Sequence, residues 1–186
     1  MGRDPTPSGA CIDSRSARTA RGGAEVGVDG GKMVRGRKRH VVTDTLGLLP
    51  IVVVTAADAD DGTTAPRPLA GLPAAAFPRP AVVWADTKYR NNALGRWLAG
   101  QDRLRVEVTS KPEGKVGFDP LPKRWVVEQT FGCLPRWRRL VRDFERLPGT
   151  SAAMAELAST HRMARRARPP RWRKKFRYKR PLKTAA

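Results

Sequence analysis

The stretch Ala81-Val82-Val83-Trp84-Ala85-Asp86-Thr87-Lys88-Tyr89 carries the clearest structural signal in this chain of 186 residues. Its apolar run ends at Asp86, and a continuous apolar run of this kind is typical of a strand buried on both faces. Such a strand lies inside a sheet that is covered by helices on both sides. The stretch therefore predicts an α/β protein with a carboxylate at the end of a central strand.

Three more strands are predicted ahead of this one. Residues 39–43 and 49–56 are rich in Val and Ile, and the turn residues at 44–47 between them indicate an antiparallel hairpin. Residues 10–14 form a shorter candidate, and the glycine-rich segment 21–31 is expected to be a loop. In a mixed sheet the strand at 10–14 can lie beside the strand at 81–85, which would place Asp13 next to Asp86.

Helices dominate the rest of the chain. Residues 58–62 lead into a poorly formed helix interrupted by prolines, 91–100 predict a short helix, and 104–109 predict a half-exposed strand. A helix is expected to begin at Pro122, and Pro135 should divide it from a second apolar stripe at Trp137, Leu140, Val141 and Phe144. The last predicted helix spans 151–168, with Met154, Leu157 and His161 on one side. We expect a leader at 1–10, one domain at 11–168 and a basic tail at 169–186.

Charge predicts a polyanionic partner, because the chain carries a formal net charge of +20. From Arg165 to Lys183 there are eleven Lys or Arg and no acidic residue, interleaved with three aromatic residues. Such a segment can lie along a phosphate backbone with its aromatic rings against bases. It can equally be a solvated, disordered tail without a specific site.

Cysteines and apolar segments indicate the compartment. The two cysteines, Cys11 and Cys133, are too far apart in sequence for a metal-ligand pair and form no disulfide framework, which favours a reducing cytoplasm. The first ten residues lack the apolar run of a signal peptide, and the most apolar segment, 46–57, is too short to cross a bilayer. No membrane role is expected.

Three carboxylates, Asp13, Asp86 and Glu128, are candidates for binding two divalent metal ions. Mg²⁺ prefers oxygen ligands, and cleavage of a phosphodiester by two metals requires several such ligands at one point. Singly, each has another explanation: Asp86 could cap a turn, Asp13 could lie on the surface, and Glu128 could pair with Arg124 one helical turn earlier. The combination favours catalysis.

Four motifs carry a resemblance to a known family. They are Ile12-Asp13-Ser14-Arg15-Ser16, the segment from Gly36 to Gly47, Trp84-Ala85-Asp86, and Trp125-Val126-Val127-Glu128-Gln129-Thr130-Phe131. In this order they resemble the DDE transposases of bacterial insertion sequences, specifically the insertion-sequence-five family. The resemblance runs from about Cys11 to Arg166.

The resemblance implies an RNase H-like mixed sheet flanked by helices and a catalytic triad at Asp13, Asp86 and Glu128 that binds two Mg²⁺ or Mn²⁺ ions. It suggests that Arg124 contacts a DNA phosphate near the scissile position. Lys88 and Tyr89 are further candidates for contact with the same strand. The basic run Arg35, Arg37, Lys38 and Arg39 is expected to follow the DNA backbone. Pro135 stands where the family tends to have a lysine, so Arg136 is a candidate for that phosphate contact.

The expected function is transposition of an insertion sequence: hydrolysis at the ends of the element, then transesterification by the freed 3′-hydroxyl. The expected partners are double-stranded DNA and further copies of the chain, in the nucleoid of a bacterial cytoplasm. Only twelve residues precede Asp13, which suggests a second reading frame or a truncated copy. The alternatives are an inactive remnant that only binds DNA and a basic RNA-binding protein.

Two weaker motifs resemble a calcium loop and a phosphate-binding loop, but each lacks residues that its function requires. Asp58, Asp60 and Asp61 before Gly62 lack the glycine and glutamate positions of a calcium loop, and we interpret them as loop and helix-cap residues. Gly30-Gly31-Lys32 lacks the first glycine and the Ser or Thr of a phosphate-binding loop, which argues against nucleotide hydrolysis.

Overall fold

The computed structural model of the protein describes residues 6–20, 22–75, 77–79, 81–110 and 123–168. In this part of the chain a mixed sheet lies between two groups of helices. The strands are β1 (Gly9–Arg18), β2 (Gly27–Asp29), β3 (Val34–Asp44), β4 (Ile51–Ala56), β5 (Ala81–Ala85) and β6 (Leu104–Val108). The helices are α1 (Asp61–Thr64), α2 (Pro66–Ala70), α3 (Asn92–Ala99), α4 (Trp125–Cys133), α5 (Arg138–Val141) and α6 (Pro148–Ala167), with 3₁₀ turns at Thr87–Tyr89 and Leu134–Arg136.

The strand order confirms the predicted RNase H-like mixed sheet. Strands β4, β3 and β1 pair antiparallel, and β1, β5 and β6 continue the sheet in parallel. Two strands pair with the same edge of β3, the edge that faces away from β1. Strand β2 pairs with residues 34–36 and β4 with residues 37–42. At the changeover lies Gly36, where an added Cβ would stand 1.9 Å from the Ala17 carbonyl oxygen. Only glycine permits this close approach.

Strand alternation divides the core into two clusters, one on each face of the sheet. Ile12 and Val42 lie in the cluster under α1, α2 and α3, whereas their neighbours Cys11 and Val41 lie in the cluster under α4, α5 and α6. Successive side chains of a strand point to opposite faces, so each strand contributes to both clusters. Strand β5 is central, as predicted, because it lies between β1 and β6. Its Ala81, Val83 and Ala85 are buried on one face, whereas Val82 and Trp84 on the other face are only half-buried.

Several predicted boundaries were wrong. The glycine-rich segment contains β2, because Gly27, Val28 and Asp29 pair with the start of β3. The helix expected from Pro122 begins at Trp125, since Lys123 has a φ of 73° and cannot continue a right-handed helix. Pro122 itself, the tail at 169–186 and residues 1–5 of the predicted leader lie outside the described residues.

The predicted apolar stripes are only partly correct. Val141 and Phe144 are more than half exposed, whereas Leu140 is buried and Trp137 packs against the core. On α6 the core-facing positions are small residues, including Ala155 and Ala158, while Leu157 is 63% exposed. In the described residues no helix is both long and apolar enough to cross a bilayer.

Pro135 divides the helical layer as predicted, and a strand compensates for the break. Pro135 has no N–H, so it cannot donate to the carbonyl of Phe131 four residues earlier. The Arg15 guanidinium from β1 donates to that carbonyl oxygen instead, at 3.0 Å. The break after α4 is therefore joined to the strand that carries Asp13.

Candidate active site

The parallel pairing of β1 with β5 brings the first two candidate carboxylates together. Cys11 pairs with Trp84, and Asp13 and Asp86 follow each of these residues by two positions. Because alternation repeats every two residues, Asp13 lies on the face of Cys11 and Asp86 on the face of Trp84. This is the face that α4 covers. The predicted adjacency of the strands is confirmed.

One guanidinium joins the two aspartates. Arg124, at the residue before α4, has Nη2 at 3.5 Å from Oδ2 of Asp13 and at 4.0 Å from Oδ2 of Asp86. Each carboxylate is also oriented by the backbone: the Ser14 N–H donates to Asp13 at 2.7 Å and the Lys88 N–H donates to Asp86 at 2.9 Å. Two carboxylates thus face one cation, and a buried cation of this kind requires anionic neighbours.

Glu128 lies one turn after Arg124 on α4 and is half-buried. It lines a cavity of about 660 Å³ that Asp13, Lys32 and Phe131 also line. Asp86 is not among the residues of this cavity. The structure thus places Asp13 with Asp86 at one guanidinium and Asp13 with Glu128 at one cavity, and Asp13 is common to both.

Burial sets the electrostatics of Asp13. Removal from water raises the pKa of its carboxyl to about 6, while the Ser14 N–H and Arg124 act to lower the pKa. The neighbouring Asp86 and Asp61 raise it further. A carboxyl with several anionic neighbours in a partly desolvated place is an environment that a bound cation stabilises.

The donor chemistry fits a hard divalent cation at the Asp13 and Asp86 end of the site. Their Oδ2 atoms already converge on one positive group, and carboxylate oxygens are the ligands that Mg²⁺ and Mn²⁺ prefer. Within the described ranges no three acidic, His or Cys side chains are close enough together to hold a metal ion. Glu128 therefore lies near Asp13 and Asp86, but the three side chains do not form a metal-binding cluster.

Asp61 belongs to this neighbourhood, although the sequence suggested only a cap or loop role. It is buried in the first turn of α1 and accepts a 2.6 Å hydrogen bond from the hydroxyl of Ser14, the residue after Asp13. Lys38 Nζ lies 3.2 Å from its Oδ1, and Lys88 Nζ lies 4.0 Å from its Oδ2. A helix of four residues has too little periodicity to signal this position in the sequence.

Two arginines of the basic run are structural, which corrects the prediction that they follow the DNA backbone. Arg37 is fully buried, where it pairs with Asp143 and donates to the carbonyls of Ala24, Glu145 and Arg146. Arg39 is 5% exposed and donates to the Leu140 carbonyl. Neither side chain lies on the open surface along which the backbone of a DNA duplex would run.

Lys38 lies on the opposite face of the sheet from these arginines, because side chains of β3 alternate. It is buried against Asp61 and donates to the Ala59 carbonyl at 2.6 Å. Tyr89 is also buried, at 2% exposure, below the aspartates, and desolvation raises the pKa of its hydroxyl. Both side chains lie under the site, on the face of the sheet opposite to Asp13. Their burial does not fit direct contact with DNA.

Three of the four remaining predicted DNA contacts are accessible. Arg35 on β3, Arg136 in the 3₁₀ turn and Lys88 after β5 are exposed, and 58% of the Lys88 side chain is accessible. Arg124 is buried and is held by the aspartates. Two accessible lysines lie beside the carboxylates: Lys88, two residues after Asp86, and Lys32, which lines the cavity of Asp13 and Glu128.

The chain is similar to known transposases. Residues 4–162 match the family of the transposase DDE domain. A protein assigned as the transposase of insertion sequence element IS402 from Burkholderia cepacia is 34% identical over 128 residues, which are 66% of this chain and 60% of that relative. The cryo-EM structure of a piggyBac transposase synaptic complex with hairpin DNA aligns at a TM-score of 0.45 and 7% identity, over 87% of this chain and 49% of that one.

A mixed sheet flanked by helices, with aspartates just beyond the paired residues of two parallel strands, is the architecture expected of a transposase DDE domain. The chain belongs to the DDE transposase-domain family, since the match covers most of its length. It spans about 60% of the length of the relative from Burkholderia cepacia. Membership of the insertion-sequence-five group stays a prediction.

Proposed function

We propose that this chain cleaves DNA strands at the ends of an insertion sequence and joins the freed 3′-hydroxyl to target DNA, with Asp13, Asp86 and Glu128 as its catalytic residues. One observation carries the proposal. Asp13 and Asp86 end up on one face of neighbouring parallel strands and converge on one cation, with Glu128 one helical turn beyond it. The family supplies the reaction class.

The three carboxylates would hold divalent ions, Mg²⁺ or Mn²⁺. When bound, such ions supply an activated water or hydroxyl and stabilise the leaving oxygen. The protein contributes the fixed orientation of the ligands: the backbone N–H groups of Ser14 and Lys88 hold the Asp13 and Asp86 carboxylates in place. These bonds pre-organise the oxygens before any substrate is bound.

Arg124 and Lys88 would provide the contacts to the scissile phosphate. In the free chain the Arg124 guanidinium is occupied by two carboxylates, at the long distances of 3.5 and 4.0 Å. An arginine pairs well with a phosphate through two parallel N–H donors, so it can exchange partners when DNA enters. Lys88 is accessible and would bind the adjacent phosphate. Arg35 and Arg136 would hold the flanking duplex.

The proposal is tested with a plasmid that carries the DNA flanking the gene for this chain on both sides. Full-length protein should nick it with Mg²⁺ or Mn²⁺ and not with EDTA. Asp86→Ala should reduce nicking by more than a hundredfold while it changes duplex binding less than threefold. The matched control is Asp102→Ala, an exposed aspartate on the loop before β6.

Glu128 requires a separate pair of variants, because it does not cluster with the aspartates. Glu128→Gln should abolish nicking, whereas Glu156→Gln, at an exposed position of α6, should not. Nicking that survives both Asp86→Ala and Glu128→Gln would refute the assignment. Duplex binding by the wild type without any metal-dependent nicking would instead favour the non-catalytic DNA-binding remnant, which the absence of a three-ligand cluster in the described ranges supports.

The partners follow from the same proposal. Double-stranded DNA binds through the exposed basic residues, and further copies of the chain join on the two element ends. We place this activity at the nucleoid in the cytoplasm, where the DNA substrate is.

A further inference from the structure

A second cavity, which we call the arginine cavity, adjoins the catalytic one. It has a volume of about 450 Å³, within the range of small-molecule sites. Arg15, Ser16 and Phe131 line both cavities. The arginine cavity therefore begins beside Asp13 and Glu128 and extends away from the carboxylates toward α5.

The lining has two chemical parts. Apolar side chains from the helical layer, among them Phe131, Leu134, Pro135 and Leu140, form one wall. Arg15, Arg18, Arg39 and Arg142 contribute positive charge, and none of the described residues that line the cavity is acidic. An apolar wall beside several arginines matches a ligand that has a flat apolar body and an anionic group.

Arg39 gives an independent sign of a missing ligand. It is 5% exposed, its Nε has no hydrogen-bond partner, and its one hydrogen bond in the described residues runs to the neutral Leu140 carbonyl. No carboxylate lies within ion-pair distance of it among the described residues, whereas Arg37 beside it pairs with Asp143. Burial of a cation without a directly paired anion is costly, and desolvation lowers the pKa of Arg39, although Asp143, beyond ion-pair distance, acts to raise it.

We propose that the arginine cavity binds one unpaired nucleotide of the DNA substrate, with its phosphate on the arginines and its base against the apolar wall. A nucleotide meets both chemical requirements, because a base has a flat apolar face and the phosphate is an anion that arginine binds through parallel donors. The inference rests on the proposed function, since it assigns a place to DNA next to the cleavage site. It adds that a nucleotide leaves the duplex there.

The experiment uses the full chain and a 5′-phosphorylated single-stranded tetrathymidylate with a 3′ fluorophore, in EDTA, followed by anisotropy. Val141→Asp places a negative charge at the lip of the cavity, at a residue that is 61% exposed, and should weaken binding at least tenfold. Leu157→Asp is the matched control, because Leu157 is 63% exposed on α6 and does not line the cavity. It should change the affinity less than twofold.

A second pair guards against misfolding and long-range charge effects. Arg142→Gln should weaken tetrathymidylate binding, and Arg138→Gln, exposed on the same helical segment but outside the cavity, should not. Photo-crosslinking with 5-iododeoxyuridine should map to the segment from Phe131 to Val141. Equal affinities within each pair, or crosslinks only outside this segment, would overturn the inference.

These outcomes are separate from the test of catalysis. The tetranucleotide contains no element end and the binding is measured without metal, so failure here leaves metal-dependent nicking untouched. Conversely, tetrathymidylate binding that depends on Val141 would stand even if the plasmid is not nicked.

Discussion

The hydroxyl of Ser14 donates a 2.6 Å hydrogen bond to Oδ1 of Asp61, which is 47 residues later in the chain. Ser14 follows Asp13 on β1, and Lys88 Nζ, two residues after Asp86, lies 4.0 Å from the other oxygen of Asp61. Asp61 thus contacts Ser14, next to Asp13, and Lys88, two residues after Asp86, while it lies on the opposite face of the sheet from both proposed catalytic aspartates. We expect it to be a positioning residue, which acts on the proposed site through these neighbours.

Replacement of Asp61 by Asn should therefore destabilise the fold and impair cleavage together. The buried Lys38 would lose its anionic partner, and breaking a buried pair costs roughly 3–5 kcal/mol. Asp60→Asn is the control, because Asp60 caps α1 through the Thr63 N–H and Asn caps equally well. Urea denaturation measures the difference, and equal midpoints for the two variants would contradict the assignment.

A second prediction concerns Asp143, the partner of Arg37. Asp143 accepts hydrogen bonds from the Ser151 hydroxyl at 2.7 Å and from the Glu145 N–H at 3.0 Å, and both members of the ion pair are fully buried. Asp143→Asn should lower the free energy of unfolding by roughly 3–5 kcal/mol, because Arg37 would stay buried without a counter-charge.

The control for Asp143 is the pair of Glu145 with Arg139, in which 61% of the arginine side chain is exposed. Such a pair contributes about 0–1 kcal/mol, so Glu145→Gln should have a small effect on thermal unfolding. If Asp143→Asn unfolds at the same temperature as Glu145→Gln, the interior network around Arg37 does not stabilise the fold.

The pH dependence of stability should carry the signature of His40. Burial lowers the pKa of this histidine from 6.5 to about 4, although Asp61 acts to raise it and Lys38 and Arg67 to lower it. Between these two values the unfolded chain takes up a proton that the folded chain excludes. Stability from this group is complete above pH 6.5 and is lost as the pH falls toward 4, by about 2 kcal/mol at pH 5.

His40→Gln keeps a donor for the hydroxyl of Thr55, which lies 3.0 Å from Nε2, and removes the titration. The loss of stability from pH 7 to pH 5 should therefore be smaller in this variant than in the wild type. The chain's other histidine, His161, is exposed on α6, and His161→Gln should keep the wild-type loss. Asp13, with its raised pKa, works in the opposite direction in all three proteins and cancels in the comparison.

Affinity for duplex DNA should fall steeply with salt and depend little on sequence, because the charge of +20 favours contacts with phosphates. Each phosphate contact contributes about 0.9 to the slope of log affinity against log salt concentration. Lys88→Gln should reduce the slope by about that amount. Arg96→Gln, at an exposed position of α3 away from the site, should leave it unchanged. A slope near zero for the wild type would remove the premise of backbone binding.

The sequence predicted the part of the site that depends on strands. The apolar run that ends at Asp86 identifies a central strand. In the predicted mixed sheet, the strand that carries Asp13 could be placed beside it. The environment of the basic run could not be predicted, since the partners of Arg37 and Arg39 lie more than 100 residues away at Asp143 and Leu140. Because side chains alternate along β3, Lys38 points to the opposite face of the sheet. The basic run therefore has buried side chains on both faces of the sheet.

Short elements were the other limit of prediction. The strand β2 has three residues and depends on its pairing with β3, so glycine content alone indicated a loop. Helix α1 has four residues, which conceals the buried position of Asp61. Lys123 adopts a left-handed conformation that no neighbouring residue signals, and this delays the start of α4 beyond the expected proline.

The bond from Arg15 to the Phe131 carbonyl has a mechanical consequence. The proline that interrupts the helical layer frees a carbonyl, and a side chain two positions beyond Asp13 occupies it. A shift of α4 along the sheet would leave the Phe131 carbonyl without a hydrogen-bond donor. We therefore expect α4 and β1 to unfold locally together, as one cooperative unit in amide hydrogen exchange. The proline thereby links the distance between Asp13 and Glu128 to one side-chain bond, and loss of the Arg15 guanidinium is expected to loosen α4 from β1.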